Sequence, residues 1–314
     1  AVAKHSYLIS EGELNAAQLE FINLRDLLRW GLTQFNKADL FYGHGTDNAW
    51  DEIIYLILAS LKLGATLNPV FLAARLTLAE RRLLVERIRQ RVNERIPSAY
   101  LVNEARFAGL SFFVDTRVLI PRSPVAELIE QQFSPWISED RINTILDIGT
   151  GSGCIAIACA YALPEARIDA VDNSKEALAV AAINVAAHKL QGQVNLIQSD
   201  LFQNLTSRLY DIIISNPPYV DEEDFANLPL EYRHEPVAAL AAGSDGLDLV
   251  VQLLKQAVKY LKSNGILIVE VGNSKEALIH RYPQIPFLWL EFECGDAEIF
   301  LLTQEQLTRY EQEI

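Results

Sequence analysis

The chain has 314 residues, of which 50% are hydrophobic and 22% are charged. This length suffices for a large core and favours two domains, and no run of 18 apolar residues is present that could span a membrane. The formal net charge of −14 weighs against a protein that must hold a nucleic-acid backbone and favours a basic partner.

The cysteines and the first residues indicate a cellular compartment. Cys154, Cys159 and Cys294 lack metal-ligand spacing, and their odd number argues against a disulfide framework. The first ten residues, AVAKHSYLIS, lack the layout of a signal peptide. We therefore expect a cytoplasmic protein with no metal site and no membrane contact.

The N-terminal third is predicted to be helical from residue 12 to about 95. Apolar residues recur there at helical spacing, as at Leu24 and Leu28, and Asp47 or Asn48 is expected to cap a further helix. Residues 75–95 form an arginine-rich amphipathic helix. Its charged face is either a solvated surface with internal ion pairs or a contact for RNA or an acidic partner.

A stretch of different character joins this third to the rest of the chain. Pro97 ends the helix, and the apolar residues of 107–114 and 118–120 predict a β-hairpin or two short strands. The segment Pro121-Arg122-Ser123-Pro124 then leads into a helix predicted over 125–133.

A strand, a glycine-rich turn and a helix follow at 144–148, 149–153 and 154–162. Such a turn lets a ligand approach the backbone and ends in the free N–H groups of a helix. The pattern Gly-x-Gly-x-Gly after Asp147 differs from the dinucleotide fingerprint Gly-x-Gly-x-x-Gly and is that of S-adenosylmethionine sites. Asp172, at the end of the next strand, is placed to accept both ribose hydroxyls.

A third strand, 194–198, ends in Ser199-Asp200-Leu201. Considered alone, Asp200 is as well explained as a helix cap. The alternative is that its carboxylate accepts from an adenine amine while Leu201 packs on the ring.

The most informative stretch is the apolar run Ile212–Ile214, which ends in Ser215-Asn216-Pro217-Pro218-Tyr219. The prolines lock their own φ angles and have no N–H. The Asn216 side-chain carbonyl and the Pro217 backbone carbonyl therefore form a row of acceptors beside Tyr219, which suits a planar NH₂ group with two donor hydrogens. A plain strand followed by a proline turn is the alternative.

The remaining elements complete an α/β pattern. An acidic segment at 221–236 is either a solvated loop or a lip that favours a basic protein over phosphate. A helix at 247–261, a strand at 265–271 and two final strands near 286–292 and 298–303 follow. The order βαβαβαβ with a terminal hairpin predicts a doubly wound, mainly parallel sheet with an antiparallel last strand and a ligand at the carboxyl ends of the strands.

The Asn-Pro-Pro-Tyr tetrapeptide resembles the signature of methyltransferases that use S-adenosylmethionine to modify planar NH₂ nitrogens. The motifs IPSAYL, FAGLSFFV and VLIPR of the linking stretch look like those of the protein glutamine N5-methyltransferases. The release-factor branch of that family carries Pro-Arg-Pro-Glu-Thr-Glu. This chain has Pro-Arg-Ser-Pro-Val-Ala-Glu from Pro121 to Glu127, which resembles the branch that methylates a large-subunit ribosomal protein, the third in the usual numbering.

The resemblance implies a fold and a domain organisation. The fold is a seven-stranded, Rossmann-like class I methyltransferase domain over 122–314, a β-hairpin linker over 96–121 and a helical substrate-recognition domain over 1–95. The catalytic residues are expected to be Asn216, Pro217, Pro218 and Tyr219. The cofactor S-adenosylmethionine is expected to be bound by Asp147, Gly149, Thr150, Gly151, Ser152, Gly153, Asp172, Asn173, Asp200, Leu201 and Asn216.

The expected function is N5-methylation of a glutamine in a basic ribosomal protein, either free or in an assembly intermediate, with no direct contact to DNA. Three alternatives remain: a release-factor glutamine methyltransferase, an adenine N6-methyltransferase acting on RNA or DNA, and a non-catalytic ribosome-assembly factor with a cofactor pocket. The acidic charge disfavours the second. The Ser123-Pro124 departure disfavours the first, and the intact Asn216 disfavours the third.

Overall fold

A computed structural model describes residues 7–206, 208–293 and 298–314. Within this part of the chain, two compact units are present. The helical unit contains the described residues up to Ala105 and the segment Pro229–His234, and the sheet unit contains Arg106–Leu228 and Glu235–Ile314. Residues 1–6, which begin the segment used for the signal-peptide argument, and Cys294 lie outside the described residues.

The helical unit is built from capped helices whose apolar faces share one core. Ser10, Asn23, Asn48 and Thr77 each accept a hydrogen bond from the third backbone N–H of the helix that follows, which confirms the cap predicted at Asn48. The helices are α1 (Glu11–Glu20), α2 (Leu24–Ala38), α3 (Ala49–Leu61), α4 (Leu78–Asn93) and α5 (Ser98–Val102). Among the described residues, no helix is long and apolar enough to cross a membrane.

The arginine-rich helix α4 uses much of its charge inside the helical unit. Arg91 is only 1% exposed and forms ion pairs with Glu52 and Glu231. Arg81 donates to the Phe21 carbonyl, and Arg89 pairs with its neighbours on the helix. These contacts favour the interpretation of the helix as a structural, ion-paired element.

The stretch of chain that follows α5 contains one short hairpin. Strands β1 (Ala105–Phe107) and β2 (Leu110–Phe112) form a two-stranded sheet around Gly109, whose φ of +72° suits glycine. The apolar residues 118–120 are not a strand. The Val118 N–H instead closes a turn on the Asp115 carbonyl, and Val118 and Ile120 are buried. Helix α6 (Val125–Glu130) follows.

The sheet unit contains a seven-stranded sheet in the order β5-β4-β3-β6-β7-β9-β8. The first five strands in that order are parallel, and β9 is antiparallel to both of its neighbours. Buried apolar residues cover both faces, as expected for a parallel sheet. The strands are β3 (Thr144–Ile148), β4 (Arg167–Asp172), β5 (Val194–Gln198), β6 (Tyr210–Ser215), β7 (Leu261–Glu270), β8 (Leu288–Leu290) and β9 (Ile299–Thr303). The predicted doubly wound α/β fold is confirmed.

The helices of the sheet unit depart from strict alternation at one place. Besides α6, they are α7 (Cys154–Ala162), α8 (Lys175–Ala187), α9 (Glu222–Asn227), α10 (Asp248–Ala257), α11 (Lys275–Arg281) and α12 (Gln304–Arg309). The described residues between β5 and β6 form turns, so the predicted order βαβαβαβ is wrong there. Leu201 adopts a left-handed φ of +48°, and buried Phe202 packs in the core.

Candidate active site

Strand register gathers the predicted site residues at one edge of the sheet. Ile148 of β3 lies opposite Val171 of β4 and Ser215 of β6, and Ser215 lies opposite Val269 of β7. The residues that follow these positions therefore form one row. The row contains Asp172, Gly149, Asn216 and Glu270, and the β5 end adds Asp200 beyond Asp172.

The glycine turn has a backbone conformation that favours glycine at three positions. Gly149, Gly151 and Gly153 have φ values of +74°, +54° and +81°. A Cβ atom would meet nothing within 4 Å at Gly149 or Gly151, whereas at Gly153 it would lie 3.3 Å from the Cβ of Ala181. The first two glycines thus face open space at the strand ends, and the third allows α7 to approach α8.

Asp147 lies below the glycine turn as a fully buried acid. Its Oδ2 accepts a hydrogen bond of 2.6 Å from the Thr150 hydroxyl, and its buried Oδ1 has no hydrogen-bond partner among the described residues. Burial raises the pKa of Asp147 to about 7, against the opposing effect of the Thr150 hydroxyl. A buried acceptor without a partner beside an open glycine turn fits the ammonium group of S-adenosylmethionine, directly or through a water.

Asp172 connects the end of β4 to the glycine turn. Its Oδ2 accepts from the Gly151 N–H at 3.0 Å and its Oδ1 from the Ser174 N–H at 2.9 Å. Burial raises the pKa of Asp172, and the backbone N–H groups oppose that rise. Each oxygen keeps capacity to accept from a ribose hydroxyl, so Asp172 both holds the turn and presents acceptors. Asn173 beside it is exposed.

Other predicted cofactor residues occupy supporting or peripheral positions. Ser152 is buried, and its carbonyl accepts from the Asn184 side chain at 2.8 Å. Asp200 is exposed at the end of the row, and the adjacent Leu201 is buried. An exposed acid beside an apolar side chain fits the expected role of this pair toward an adenine ring.

Asn216 and Pro217 present acceptors that the described part of the protein leaves unused. Asn216 is partly exposed, and neither its side-chain amide nor the Pro217 carbonyl makes a hydrogen bond within the described residues. Ser215, immediately before them, donates its hydroxyl to the Ile148 carbonyl at 2.7 Å. The acceptors therefore follow a firmly held strand end.

Two buried residues beside the motif were not identified from the sequence. The Tyr219 hydroxyl donates to the buried Glu270 Oε1 at 2.9 Å, and Ser123 donates its hydroxyl to the other oxygen of Glu270. Glu270, Ser123 and Asn216 border a packing gap that is too small to hold a water molecule. A sequence signal existed for Glu270, because an acid ends an apolar strand there as Asp172 does in β4.

The chain that follows Tyr219 makes an excursion and returns beside Val220. Val220 pairs with the Leu240–Ala242 backbone, and Arg122 holds the buried carboxylate of Glu235 through two hydrogen bonds of 2.7 and 3.0 Å. The acidic segment begins in this excursion with Asp221 and α9. Among the described residues, no group of three or more His, Cys, Asp or Glu side chains could hold a metal ion.

Comparisons with known proteins identify a methyltransferase domain and named relatives. A family model described as the methyltransferase small domain matches residues 131–231. A curated protein of Neisseria gonorrhoeae, named ribosomal protein uL3 glutamine methyltransferase, is 47% identical over 93% of this chain and 98% of its own length. A protein of Francisella tularensis with the same name is 44% identical over 91% of this chain and 92% of its own.

A solved structure supports the fold alone. The hMettl16 catalytic domain, in complex with the MAT2A 3′UTR hairpin 1, superposes with a TM-score of 0.53 at 17% identity, over 81% of this chain and 91% of that one. At this identity the likeness carries no substrate information. The sequence relatives are far closer and extend over nearly the whole chain, and the chain belongs to the ribosomal protein uL3 glutamine methyltransferase family.

Proposed function

We propose that this protein transfers a methyl group from S-adenosylmethionine to the N5 nitrogen of a glutamine side chain in ribosomal protein uL3. Asn216, Pro217, Pro218 and Tyr219 form the catalytic motif, and the glycine turn with Asp147, Asp172, Asp200 and Leu201 binds the cofactor. The protein would act in the cytoplasm, on free uL3 or on an assembly intermediate.

The observation that carries the proposal is the pair of unused acceptors at the end of β6. The Asn216 side-chain carbonyl and the Pro217 carbonyl match the two donor hydrogens of a primary amide. A glutamate side chain would instead oppose carboxylate oxygens to these acceptors, so the site rejects it. The arrangement therefore favours an amide substrate over its acid.

The chain's own residues would promote the reaction by polarising and aligning the amide nitrogen. An amide nitrogen is a poor nucleophile because its lone pair is delocalised into the carbonyl. Hydrogen bonds from both N–H groups to Asn216 and Pro217 return electron density to nitrogen, and they strengthen as nitrogen becomes positive in the transition state. S-adenosylmethionine, when bound, supplies an electrophilic methyl group. The product amide loses its extra proton readily, so no strong base is required.

The charge distribution supports a basic protein substrate. The segment that follows the catalytic motif contains Asp221, Glu222, Glu223 and Asp224, of which Glu222 and Glu223 are exposed. Together with the net charge of −14, this surface attracts a basic polypeptide and repels phosphate. The relatives carry the name of a uL3 methyltransferase, and uL3 is the substrate we propose.

The test uses tritiated S-adenosylmethionine, the purified enzyme and an extract of cells that lack it, with RNase or protease treatment. We expect label in one basic ribosomal protein that resists RNase, and mass spectrometry should place the methyl group on a uL3 glutamine. Label lost to RNase but not to protease would instead indicate an adenine methyltransferase.

Two variants refine this test. Asn216→Ala should keep the fold and cofactor binding but lose about 10²–10³ in kcat, the usual effect of losing one transition-state hydrogen bond. Asn143→Ala, an exposed asparagine before β3 at the opposite edge of the sheet, is the matched control and should keep full activity. Wild-type turnover by Asn216→Ala would refute the proposed mechanism.

A further inference from the structure

Tyr219, the last residue of the catalytic motif, is held from several directions within the sheet unit. Its hydroxyl donates to Glu270 Oε1 at 2.9 Å, and its backbone carbonyl accepts from the Ser274 hydroxyl at 2.9 Å. A Cβ atom at Gly272 would lie 2.4 Å from the Tyr219 ring, and one at Gly246 would lie 2.3 Å from the Tyr219 carbonyl oxygen. We call these four residues, Gly246, Glu270, Gly272 and Ser274, the Tyr219 cradle.

The two glycines of the cradle have a packing role. Gly246 and Gly272 have φ values of +72° and +47°, so the left-handed backbone already favours glycine there. Any side chain would also collide with the ring or carbonyl of Tyr219. The backbone after β7 therefore lies directly against the tyrosine.

Glu270 is a buried acid that is fixed beside the catalytic motif. It ends β7 with 4% of its surface exposed, and its register places it beside Asn216 at the row of strand ends. The Ser123 hydroxyl donates to Oε2, so both carboxylate oxygens have a donor. These two partners compensate the cost of burying a polar group and hold the Glu270 side chain in one position.

The geometry between Ser215 and Tyr219 explains how Glu270 could affect the substrate. Ser215 is fixed to the Ile148 carbonyl at one end of the motif, and the cradle fixes Tyr219 at the other end. Pro217 and Pro218 lie between these ends with locked φ angles. The Pro217 carbonyl, one of the two amide acceptors, thus lies on a stiff span whose direction depends on both ends.

We propose that Glu270 is a positioning residue for methyl transfer: by holding the Tyr219 hydroxyl, it fixes the ring and, through the two prolines, the direction of the Pro217 carbonyl. The inference rests on the proposed function. Its physical basis is that small errors in the orientation of reacting groups cost large factors in rate. Glu270 does not need to touch the substrate for this role.

Three variants separate orientation from charge. Glu270→Gln keeps the volume and an oxygen that accepts from Tyr219, and its amide N–H₂ can donate to the Ser123 hydroxyl. Glu270→Ala and Tyr219→Phe each remove the hydrogen bond between the two side chains. We expect kcat within about threefold of the wild type for Glu270→Gln, and a loss of about tenfold or more for each of the other two.

The double variant Tyr219→Phe/Glu270→Ala decides whether the two side chains act through one interaction. If they do, its kcat should be no lower than that of the poorer single variant, because the second change removes nothing further. Multiplied losses would mean independent roles and would overturn the proposal, as would a wild-type kcat in Glu270→Ala.

Matched controls and additional measurements exclude a merely structural effect. Tyr260→Phe removes a half-buried hydroxyl elsewhere in the sheet unit, and Glu298→Gln removes a partly exposed acid near β9. Both should keep wild-type kcat. In the Glu270 and Tyr219 variants, kcat should fall while the KM for uL3, the Kd for S-adenosylmethionine and the Tm stay close to the wild type. A loss of kcat that follows a lower Tm and disappears on cooling would overturn the proposal.

A measurement without substrate separates this inference from the proposed function. NMR spectra of protein with ¹³C-labelled tyrosine rings report the environment of Tyr219 directly, with Tyr219→Phe providing the assignment. We expect one sharp Tyr219 signal in the wild type and in Glu270→Gln, and a shifted or exchange-broadened signal in Glu270→Ala. An unchanged signal in Glu270→Ala would overturn the positioning role. Failure of the wild type to methylate uL3 would overturn only the proposed function.

Discussion

Asp147 is the residue at which stability and ligand binding are most directly opposed. It is fully buried, one of its oxygens has no partner within the described residues, and burial raises its pKa to about 7. The pKa of Asp147 is higher in the folded protein than in the unfolded chain. The free energy of unfolding of the free protein therefore falls as pH rises from about 4 to about 7. The same negative charge would attract the ammonium group of the cofactor.

We predict that Asp147→Asn stabilises the free protein and weakens cofactor binding. At pH 8 the free energy of unfolding should rise by up to about 4 kcal/mol, the upper bound set by a pKa raised from the ordinary aspartate value to about 7, and at pH 4 it should be unchanged. Denaturant titrations at both pH values measure the first effect. Calorimetry should show weaker S-adenosylmethionine binding by the variant, and by the wild type as pH falls below 7. Affinity independent of pH between 6 and 8 would contradict this role of Asp147.

At the scale of elements, the strand–turn–helix unit of β3 and α7 carries the proposed cofactor site. Gly149 and Gly151 keep the turn open because a side chain there would project into empty space. The neighbouring acids, Asp147 and Asp172, hold the turn through Thr150 and the Gly151 N–H. The turn is therefore specified both by backbone conformation and by the acids at two strand ends.

Gly149→Ala and Gly109→Ala form a matched pair that separates backbone strain from ligand exclusion. Their φ values are +74° and +72°, and a Cβ meets nothing within 4 Å at either position. Both variants should lose about 1–2 kcal/mol of stability from left-handed strain, measured by urea denaturation. Only Gly149→Ala should also weaken S-adenosylmethionine binding, by tenfold or more. Equal affinities of the two variants for S-adenosylmethionine would show that Gly149 is not part of the cofactor site.

At the scale of the whole molecule, the helical unit depends on a buried charge cluster contributed by distant parts of the chain. Arg91 on α4 pairs with Glu52 on α3 and with Glu231 from the segment that rejoins this unit late in the sequence. Burial alone would raise the pKa of Glu231. The charge of Arg91 and the hydrogen bonds that the Glu231 carboxylate accepts hold that pKa below its ordinary value. The stability that Glu231 contributes is thus present above its unfolded pKa and lost as pH falls through the folded value.

We predict that Arg91→Ala destabilises the protein by about 3–5 kcal/mol, because it leaves two buried carboxylates without their main partner. Arg82→Ala, an exposed arginine on the same helix, is the control and should change stability by less than about 0.5 kcal/mol. Urea denaturation at neutral pH measures both. Equal midpoints for the two variants would show that the cluster contributes no net stability.

The acidic segment gives a prediction about substrate encounter. Replacing the exposed Glu222 and Glu223 by glutamine should raise the KM for uL3 several-fold at low salt, and the difference should vanish near 0.5 M salt because screening removes the attraction. The control exchanges the exposed Glu139 and Asp140 for their amides, before β3 at the opposite edge of the sheet. A KM that responds equally to both exchanges would indicate a general charge effect without a local docking surface.

The amino-acid sequence by itself determined the sheet class, most strand positions and the identity of the motif residues. Local signals carry these features: β3, β5 and β6 are apolar runs that end in glycine, polar or proline residues, and the cap at Asn48 is a short-range pattern. The turns that the described residues between β5 and β6 form in place of a helix escaped prediction, because Phe202 packs there by contacts that only the folded sheet provides.

Only the tertiary structure decided which polar residues support the motif. Glu270 meets Tyr219 because β6 and β7 are neighbours in the sheet, although 51 positions separate the two residues. Ser123 donates to the same carboxylate from 147 positions away. The partners of Arg91 come likewise from α3 and from a segment 140 positions away. Such contacts depend on strand order and chain excursions, which have no local signature. Local sequence patterns therefore predicted the acceptors of the proposed site. The strand order of the folded sheet showed which residues hold them in place.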